Sequence, residues 1–447
     1  MASNALKKPI LRVASVRTFA AQAATHPSPG SPKEGVKTTV LPNKLVVASL
    51  ENYSPISRVS VLFRAGSRNE TWDNYGSTHV LRIATGLSTK NSTHFGIVRN
   101  IQQVGGSLSV QADREVVMYT LEANRDALED TLKYLEDVAT KQAFKPWELS
   151  DNLPRLKYEL ASIPDPVRAL DLLHTAAYRT GLGNSIFCPP HLVGKLSSET
   201  LQHYVKCYFT TNRTAVVGVG VSHDTVLPFA QSLGLESGEG PQSSGTYHGG
   251  ELRHNNTSGL AHVAVAAEGV SLKDSKQVLA ASVLQYALGV GPSVKWGNPA
   301  GSLLQKAAAS AAGSDPFAVN ALNVSFTDSG LFGFIASAPA NVIGVVVKAA
   351  VQTLRGGSVS ADDVNRAKKQ LKAAVLMSEE SGDNLLESIG YQALLRGDVH
   401  TGQQLAATID SISPADVTAV AKKIANGKLS MGAAGQLHCV PYVDELK

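Results

Sequence analysis

The chain of 447 residues is poor in three things, and each shortage excludes something. Only three cysteines occur, Cys188, Cys207 and Cys439, far apart and odd in number, with no Cys-x-x-Cys pair. A disulfide framework is thereby set aside, and the thiols read as small buried side chains. No uninterrupted apolar stretch reaches the ~18–20 residues that a membrane-spanning helix needs. The most apolar helix-like segment, Val342–Val351, is short and carries Lys348. Charge is also scarce: Asp, Glu, Lys and Arg make 17% of the chain, below the roughly one quarter usual for soluble proteins. A surface so poor in charge points to large contacts with other subunits.

Hydrophobic residues make 43% of the chain, enough for a well-buried core, and global disorder is excluded. At roughly 100–200 residues per domain, the length predicts two to four domains. The formal net charge of +4 belongs to the leader, because Lys7, Lys8, Arg12 and Arg17 lie within the first 19 residues and the first acid is Glu34. Without those four bases, 37 basic residues face 37 acidic ones, so nucleic-acid binding has no electrostatic footing. Leu6, Ile10, Val13 and Val16 share one helical face, with Lys8 and Arg12 on the other. Basic, acid-free and amphipathic is the physics of a mitochondrial presequence, and no apolar core of a secretory signal is present. Arg17-Thr18-Phe19-Ala20 resembles a matrix-peptidase site, which places the cut between Phe19 and Ala20. Residues 20–37, rich in Ala, Pro, Ser and Gly, read as a flexible tether. Triplets such as Asn91-Ser92-Thr93 matter only in a secreted chain, and Asp444-Glu445-Leu446-Lys447 has the wrong order for a retention signal.

The rest of the chain repeats itself. Leu108–Asp113 leads into a strand-like run ending at Tyr119, and Asn323–Asp328 leads into one ending at Phe334, 215 positions on. The same offset carries Leu149, Leu153 and Leu156 to Val364, Lys368 and Leu371. Ser197 and Ser413, each followed by an acid in the next turn, read as helix N-caps. Earlier, Arg58–Phe63 matches His262–Ala267 at an offset of 204, so the second half holds about 11 extra residues, assigned to the irregular stretch Gly289–Gly301. Leu45–Leu50, Val59–Arg64 and Val216–Val221 read as strands. Ala127–Ala139 reads as a helix, and Leu149, Leu153, Leu156 and Leu160 as one helical stripe. These blocks predict an α+β protein of two duplicated domains, each a mostly antiparallel sheet with helices packed on one face. The expected bounds are 38–236 and 251–447, joined by a Gly- and Ser-rich linker, 237–250.

Tyr75–Ile83 opens a helix with Val80, Ile83, Ala84 and Leu87 on its apolar side. Here the chain resembles the inverted-zincin metallopeptidases, the family of pitrilysin and the mitochondrial processing peptidase. Their helix carries His-x-x-Glu-His, with both imidazoles on one zinc ion and the Glu polarising the attacking water. A distal Glu on another helix completes the ligands. This chain keeps the first histidine, His79, but has Arg82 at the base position and Ile83 at the second ligand position. Glu159 falls near the distal ligand position. One His and one Glu do not hold zinc, for which three protein ligands are the usual minimum. No metal and no catalytic residue are therefore expected in this chain. The plain structural alternatives are a locally bonded helix histidine, a salt-bridged glutamate and a core isoleucine.

The likeness continues through Thr39–Leu45, where Lys44 stands at the usual Gly of the opening turn, and through Phe63–Arg68 and Thr327–Gly333. Gly218–His223, Tyr247–Glu251, Ser329–Phe334 and Val443–Leu446 resemble the core-protein branch of the family, found in mitochondrial ubiquinol–cytochrome c reductase (respiratory complex III). That resemblance implies a non-catalytic subunit, peripheral on the matrix side of the inner membrane, needed for assembly and stability of the complex. It implies core protein 1, cytochrome b and other complex III subunits as partners, with haem and iron–sulfur centres in those partners and no cofactor here. It further implies a share in processing the Rieske presequence, with Gly289, Gly291, Gly297 and Gly301 in a peptide-contact loop. The competing reading is the non-catalytic, substrate-binding subunit of the soluble matrix processing peptidase. A third, an autonomous zinc endopeptidase, is opposed by Arg82 and Ile83.

Overall fold

The structure, a computed structural model, describes residues 35–291 and 302–446. The presequence, the cleavage position at Phe19 and Ala20, most of the tether, and Gly297 and Gly301 lie outside the described residues.

Two sheets organise the chain. In the first half the strands are β1 (Lys37–Val40), β2 (Val46–Leu50), β3 (Ile56–Phe63), β4 (Ser107–Ala112), β5 (Val117–Asn124) and β6 (Thr214–Val219). In the second they are β7 (Glu251–Asn255), β8 (Leu260–Glu268), β9 (Ala318–Ser325), β10 (Gly330–Pro339) and β11 (Ser430–Gly435). Their orders are β1-β2-β6-β3-β5-β4 and β7-β11-β8-β10-β9, antiparallel except for the β2/β6 and β11/β7 pairs. Apart from the extra edge strand β1, the two orders are the same. The registers repeat as well. Ser60 faces Thr120 and Val217, while Ala264 faces Ile335 and Gly432, pairs that lie 204, 215 and 215 positions apart. The strand-like runs go further than the sequence pattern implied. β5 continues past Tyr119 to Asn124, and β10 past Phe334 to Pro339.

Alternation along the strands decides which side chains meet which layer. On one face of the first sheet, Val59, Val61, Phe63, Tyr119 and Leu121 pack under the helices Leu128–Thr140 and Ser198–Tyr208. On one face of the second, Val263, Val265, Phe332 and Phe334 pack under Ser275–Leu288 and Ile343–Gly356. Each sheet thus has its own half's helices on one face, as the block pattern implies. The opposite face is covered too, by a helix from the other half. Gly382–Leu395 lays Leu385, Leu386 and Ile389 on Leu62, Met118 and Val217 of the first sheet. Asp165–Tyr178 lays Leu173, Ala177 and Tyr178 on Ala264, Ala266 and Leu331 of the second. The two crossing helices begin 217 positions apart, so they are counterparts in the repeat and are exchanged. Periodicity shows that such a helix has a buried face but not which sheet it covers, which is why the one-face expectation was incomplete. The crossing is close: a Cβ at Gly432 would lie 2.3 Å from the carbonyl oxygen of Ala169.

The leucine stripe at 149–160 is also divided. One helix runs Pro146–Asp151 and a second Leu153–Ala161, because Pro154 has no N–H for a continuous helix. The segment 237–250 has no helix or strand but is bonded to both halves. Its Ser243 carbonyl accepts from Arg68 Nη2 at 2.6 Å, Gly245 N donates to Asp328 Oδ2 at 2.8 Å, and Tyr247 OH donates to the Lys428 carbonyl at 2.7 Å. Arg68 is the pin of this junction. Its buried guanidinium donates to Glu115 of the first half at 2.7 Å and to Asp328 Oδ1 of the second at 2.9 Å. Among the described residues no helix is long and apolar enough to cross a membrane.

Candidate functional site

The helix Ser77–Ile83 starts at Gly76, whose φ of +88° suits a residue without Cβ; a Cβ there would also press within 2.6 Å of Cys188. Gly76 cannot cap the helix, and Glu70 does so from the preceding loop. Its carboxylate accepts from Gly76 N at 2.8 Å and from Thr78 N and Oγ1 at 2.8 and 2.7 Å. These bonds favour the ionised form, but complete burial outweighs them and pushes the Glu70 carboxyl up to about 7.

His79 lies one turn into this helix and is 1% exposed. Its Nδ1 accepts from the backbone N–H of Cys188 at 3.1 Å, which assigns the proton to Nε2, and Nε2 faces Glu159 Oε2 at 3.3 Å. Burial first, then the Arg82 charge, hold His79 below the ordinary imidazole range, so the ring is neutral at pH 7. Arg82 Nη2 donates to the same Glu159 oxygen at 2.5 Å, and Arg155 approaches the other oxygen at 3.4 Å. Burial alone would raise the Glu159 carboxyl; Arg82, then His79, outweigh it and hold Glu159 below its usual range. Ile83 turns away from the polar cluster and packs with Leu156 and Cys188. A cavity of about 310 Å³ opens beside it, walled by Val80, Leu149, Leu153 and Leu192.

The fold therefore brings His79 and Arg82 together with Glu159, which lies 80 and 77 positions further on in another helix, with Ile83 at their edge. The cation that Glu159 Oε2 faces is the Arg82 guanidinium. One imidazole nitrogen is spent on a backbone N–H, the other on a carboxylate already bound to arginine. This set does not fit zinc, which needs three donors converging on an open point. Among the described residues no group of three or more His, Cys, Asp or Glu is placed to hold a metal. The sequence reading missed two members of the arrangement. Glu70 sits outside the helix and outside any motif, and Cys188 contributes its backbone N–H, which no side-chain pattern reveals. Its thiol is buried and pushed up to about 11, mainly by burial. Of the loop glycines, Gly289 ends the helix Ser275–Leu288 at φ +128°, and Gly291, at φ +71°, lies against Asn320.

Residues 46–190 match the insulinase family (peptidase family M16), and residues 195–371 match the peptidase M16 inactive domain. The chain belongs to this peptidase family. Over 438 residues it is 42% identical to human cytochrome b-c1 complex subunit 2, covering 96% of this chain and 95% of that one. It is 28% identical to the mitochondrial-processing peptidase subunit alpha of potato, covering 91% of this chain and 83% of the relative. Among solved structures, a chain of complex III2 from Candida albicans, with Inz-5 bound, superposes with a TM-score of 0.79 at 19% identity, covering 92% of this chain and 99% of that one.

Proposed function

We propose that this chain is a non-catalytic core subunit of respiratory complex III. The observation that carries the reading is the 42% identity to the human b-c1 subunit across nearly the whole of both chains, against 28% to the potato processing-peptidase subunit. The chemistry of the site agrees, since Arg82 holds the position where a general base would activate water. His79, Arg82, Ile83 and Glu159 are then a vestigial metal site, converted into an ion pair that ties the Ser77–Ile83 helix to the Leu153–Ala161 helix. In this reading residues 38–236 and 251–447 are peptidase-like domains joined by 237–250. They sit on the matrix side against core protein 1 and cytochrome b, with haem and iron–sulfur chemistry confined to partners. A presequence is removed between Phe19 and Ala20, and the Gly289–Gly301 loop guides the Rieske presequence in the cavity shared with core protein 1.

The test is gentle detergent solubilisation of mitochondria, native gel separation and mass spectrometry of the band that holds this chain. Co-migration with cytochrome b, the Rieske protein and a second two-domain relative is the expected result. Migration as a soluble heterodimer would instead assign it to the processing peptidase. The vestigial reading has its own check. Arg82→Glu combined with Ile83→His rebuilds the metal-binding pattern, and zinc analysis of the purified chain should rise from none towards one ion per molecule.

A further inference from the structure

Where the two halves and the connecting segment meet, a polar cavity of about 660 Å³ is lined by more cations than its acids neutralise. At its base lies Arg213, only 7% exposed. Its guanidinium donates to backbone carbonyls alone: Arg64 O at 2.9 Å from Nε, Glu239 O at 3.1 Å and Pro241 O at 3.3 Å from Nη1, and Arg64 O again from Nη2. The Tyr208 ring lies below it at 5.3 Å. No carboxylate accepts from it among the described residues, although buried charges are as a rule paired. Arg64, Lys44 and Lys273 line the same cavity, and none of them has an ion-pair partner among the described residues. Of the lining acids, Glu115 and Asp328 are already engaged by Arg68, and Glu239 stands exposed. Arg213 is held below the usual guanidinium range by burial and then by its neighbour Arg64, a repulsion that a bound anion relieves.

We propose that this cavity binds a soluble small molecule bearing a di- or triphosphate, with Arg64 and Arg213 as its principal contacts and Lys44 and Lys273 closing over it. Several cations around one compact cavity call for several negative charges on a compact group. The Arg64 guanidinium can offer phosphate oxygens its fork in pairs; Arg213, whose N–H groups are largely engaged by carbonyls, adds its buried charge and a remaining Nη2 N–H, and the ammonium groups act as point charges. Asn212 supplies a further neutral donor at the wall. Lys44, Arg64 and Arg213 come from the first half and Lys273 from the second, so the ligand spans the junction that Arg68 pins from beneath.

The experiment is equilibrium dialysis of the full-length chain against radiolabelled inorganic pyrophosphate, with citrate as a competitor of similar charge. The expected result is one saturable site, weakened at least tenfold in Arg64→Gln and in Lys273→Gln. Both residues are exposed, so melting temperature and circular dichroism should match the wild type, which separates lost binding from lost fold. Citrate should displace pyrophosphate only at ten times its concentration or more. Absence of saturable binding to the wild type, unchanged affinity in Arg64→Gln, or displacement by equimolar citrate each overturns the proposal.

Discussion

The helix after β3 and the helix after β8 hold the same place in the repeat and bury opposite things. The first, Ser77–Ile83, is seven residues long and buries Ser77, Thr78 and His79 beside Leu81 and Ile83. The second, Ser275–Leu288, is fourteen residues long, and its buried residues are Ala280, Ala281, Val283, Leu284, Ala287 and Leu288. The surroundings differ in the same sense. Near the first helix the chain buries Glu70, Arg68, Glu115 and Arg114, while the buried polar residues of the second half, among the described residues, are His262, Ser302, Ser329 and Ser430, none of them an acid, lysine or arginine. One copy of the fold is held by packing and the other in part by satisfied polar groups. A buried polar group cannot be dropped alone, since its partner is then orphaned at a cost of roughly 1–3 kcal/mol, more for charges. Glu159 accepts from Arg82 and faces His79 Nε2, while the Cys188 N–H satisfies His79 Nδ1, so each polar group of this cluster has a partner.

The largest effect should come from breaking the polar side of this comparison. Arg68→Met takes from Glu115 and Asp328 the ion-pair partner they share. A loss of about 3–5 kcal/mol is expected from removing one partner of a buried pair, read as a lower urea midpoint. The packed side offers a matching break. Gly432→Val drives a side chain into the backbone of the exchanged helix Asp165–Tyr178 and should cost about 3 kcal/mol. If the first variant were harmless, the ion network would be an ornament of the junction rather than its pin.

Much of this arrangement was legible beforehand, and for physical reasons. Strand registers follow from alternation and copy number, so the offsets at Ser60 and Ala264 emerge directly in the paired sheets. The proximity of His79, Arg82 and Glu159 was legible only through the family motif, because no local period links positions on separate helices. Three features were not legible. The exchange of Asp165–Tyr178 and Gly382–Leu395 depends on a choice between two similar sheets. Capping by Glu70 comes from a loop, and the Arg68 network is assembled from three segments that the sequence keeps far apart.

Glu70 gives the comparison a pH signature. Its carboxyl is near 7 in the folded chain and near 4.5 when exposed. The folded state therefore holds the proton more tightly, and its contribution is fully present below about pH 4.5 and lost as pH rises through 7. Glu70→Gln removes this pH dependence. The difference in urea stability between wild type and variant should shift by about 1–3 kcal/mol between pH 5 and pH 8. Leu284→Ala, in the aliphatic counterpart helix, should destabilise by about 3 kcal/mol with no such pH dependence. An equal pH shift in both variants would remove the contrast between the halves.

The smallest effect concerns a single turn. Lys44 sits at φ +67°, where an L side chain is strained, and the turn is nonetheless closed by Lys44 N donating to Leu41 O at 2.8 Å and Leu41 N donating to Leu45 O at 2.9 Å. Lys44→Gly relieves the strain but loosens the unfolded chain, for a net gain of about 0.5 kcal/mol. Lys44→Asn tolerates the same backbone and also removes the charge. Strain of this kind persists where something else requires the side chain, and Lys44 rims the cation-rich cavity. Both variants should therefore keep or raise the melting temperature while weakening pyrophosphate binding. A Lys44→Gly chain that gained stability and bound pyrophosphate unchanged would show that the lysine is carried there for no electrostatic reason, and would leave Arg64, Arg213 and Lys273 as the cations of the site.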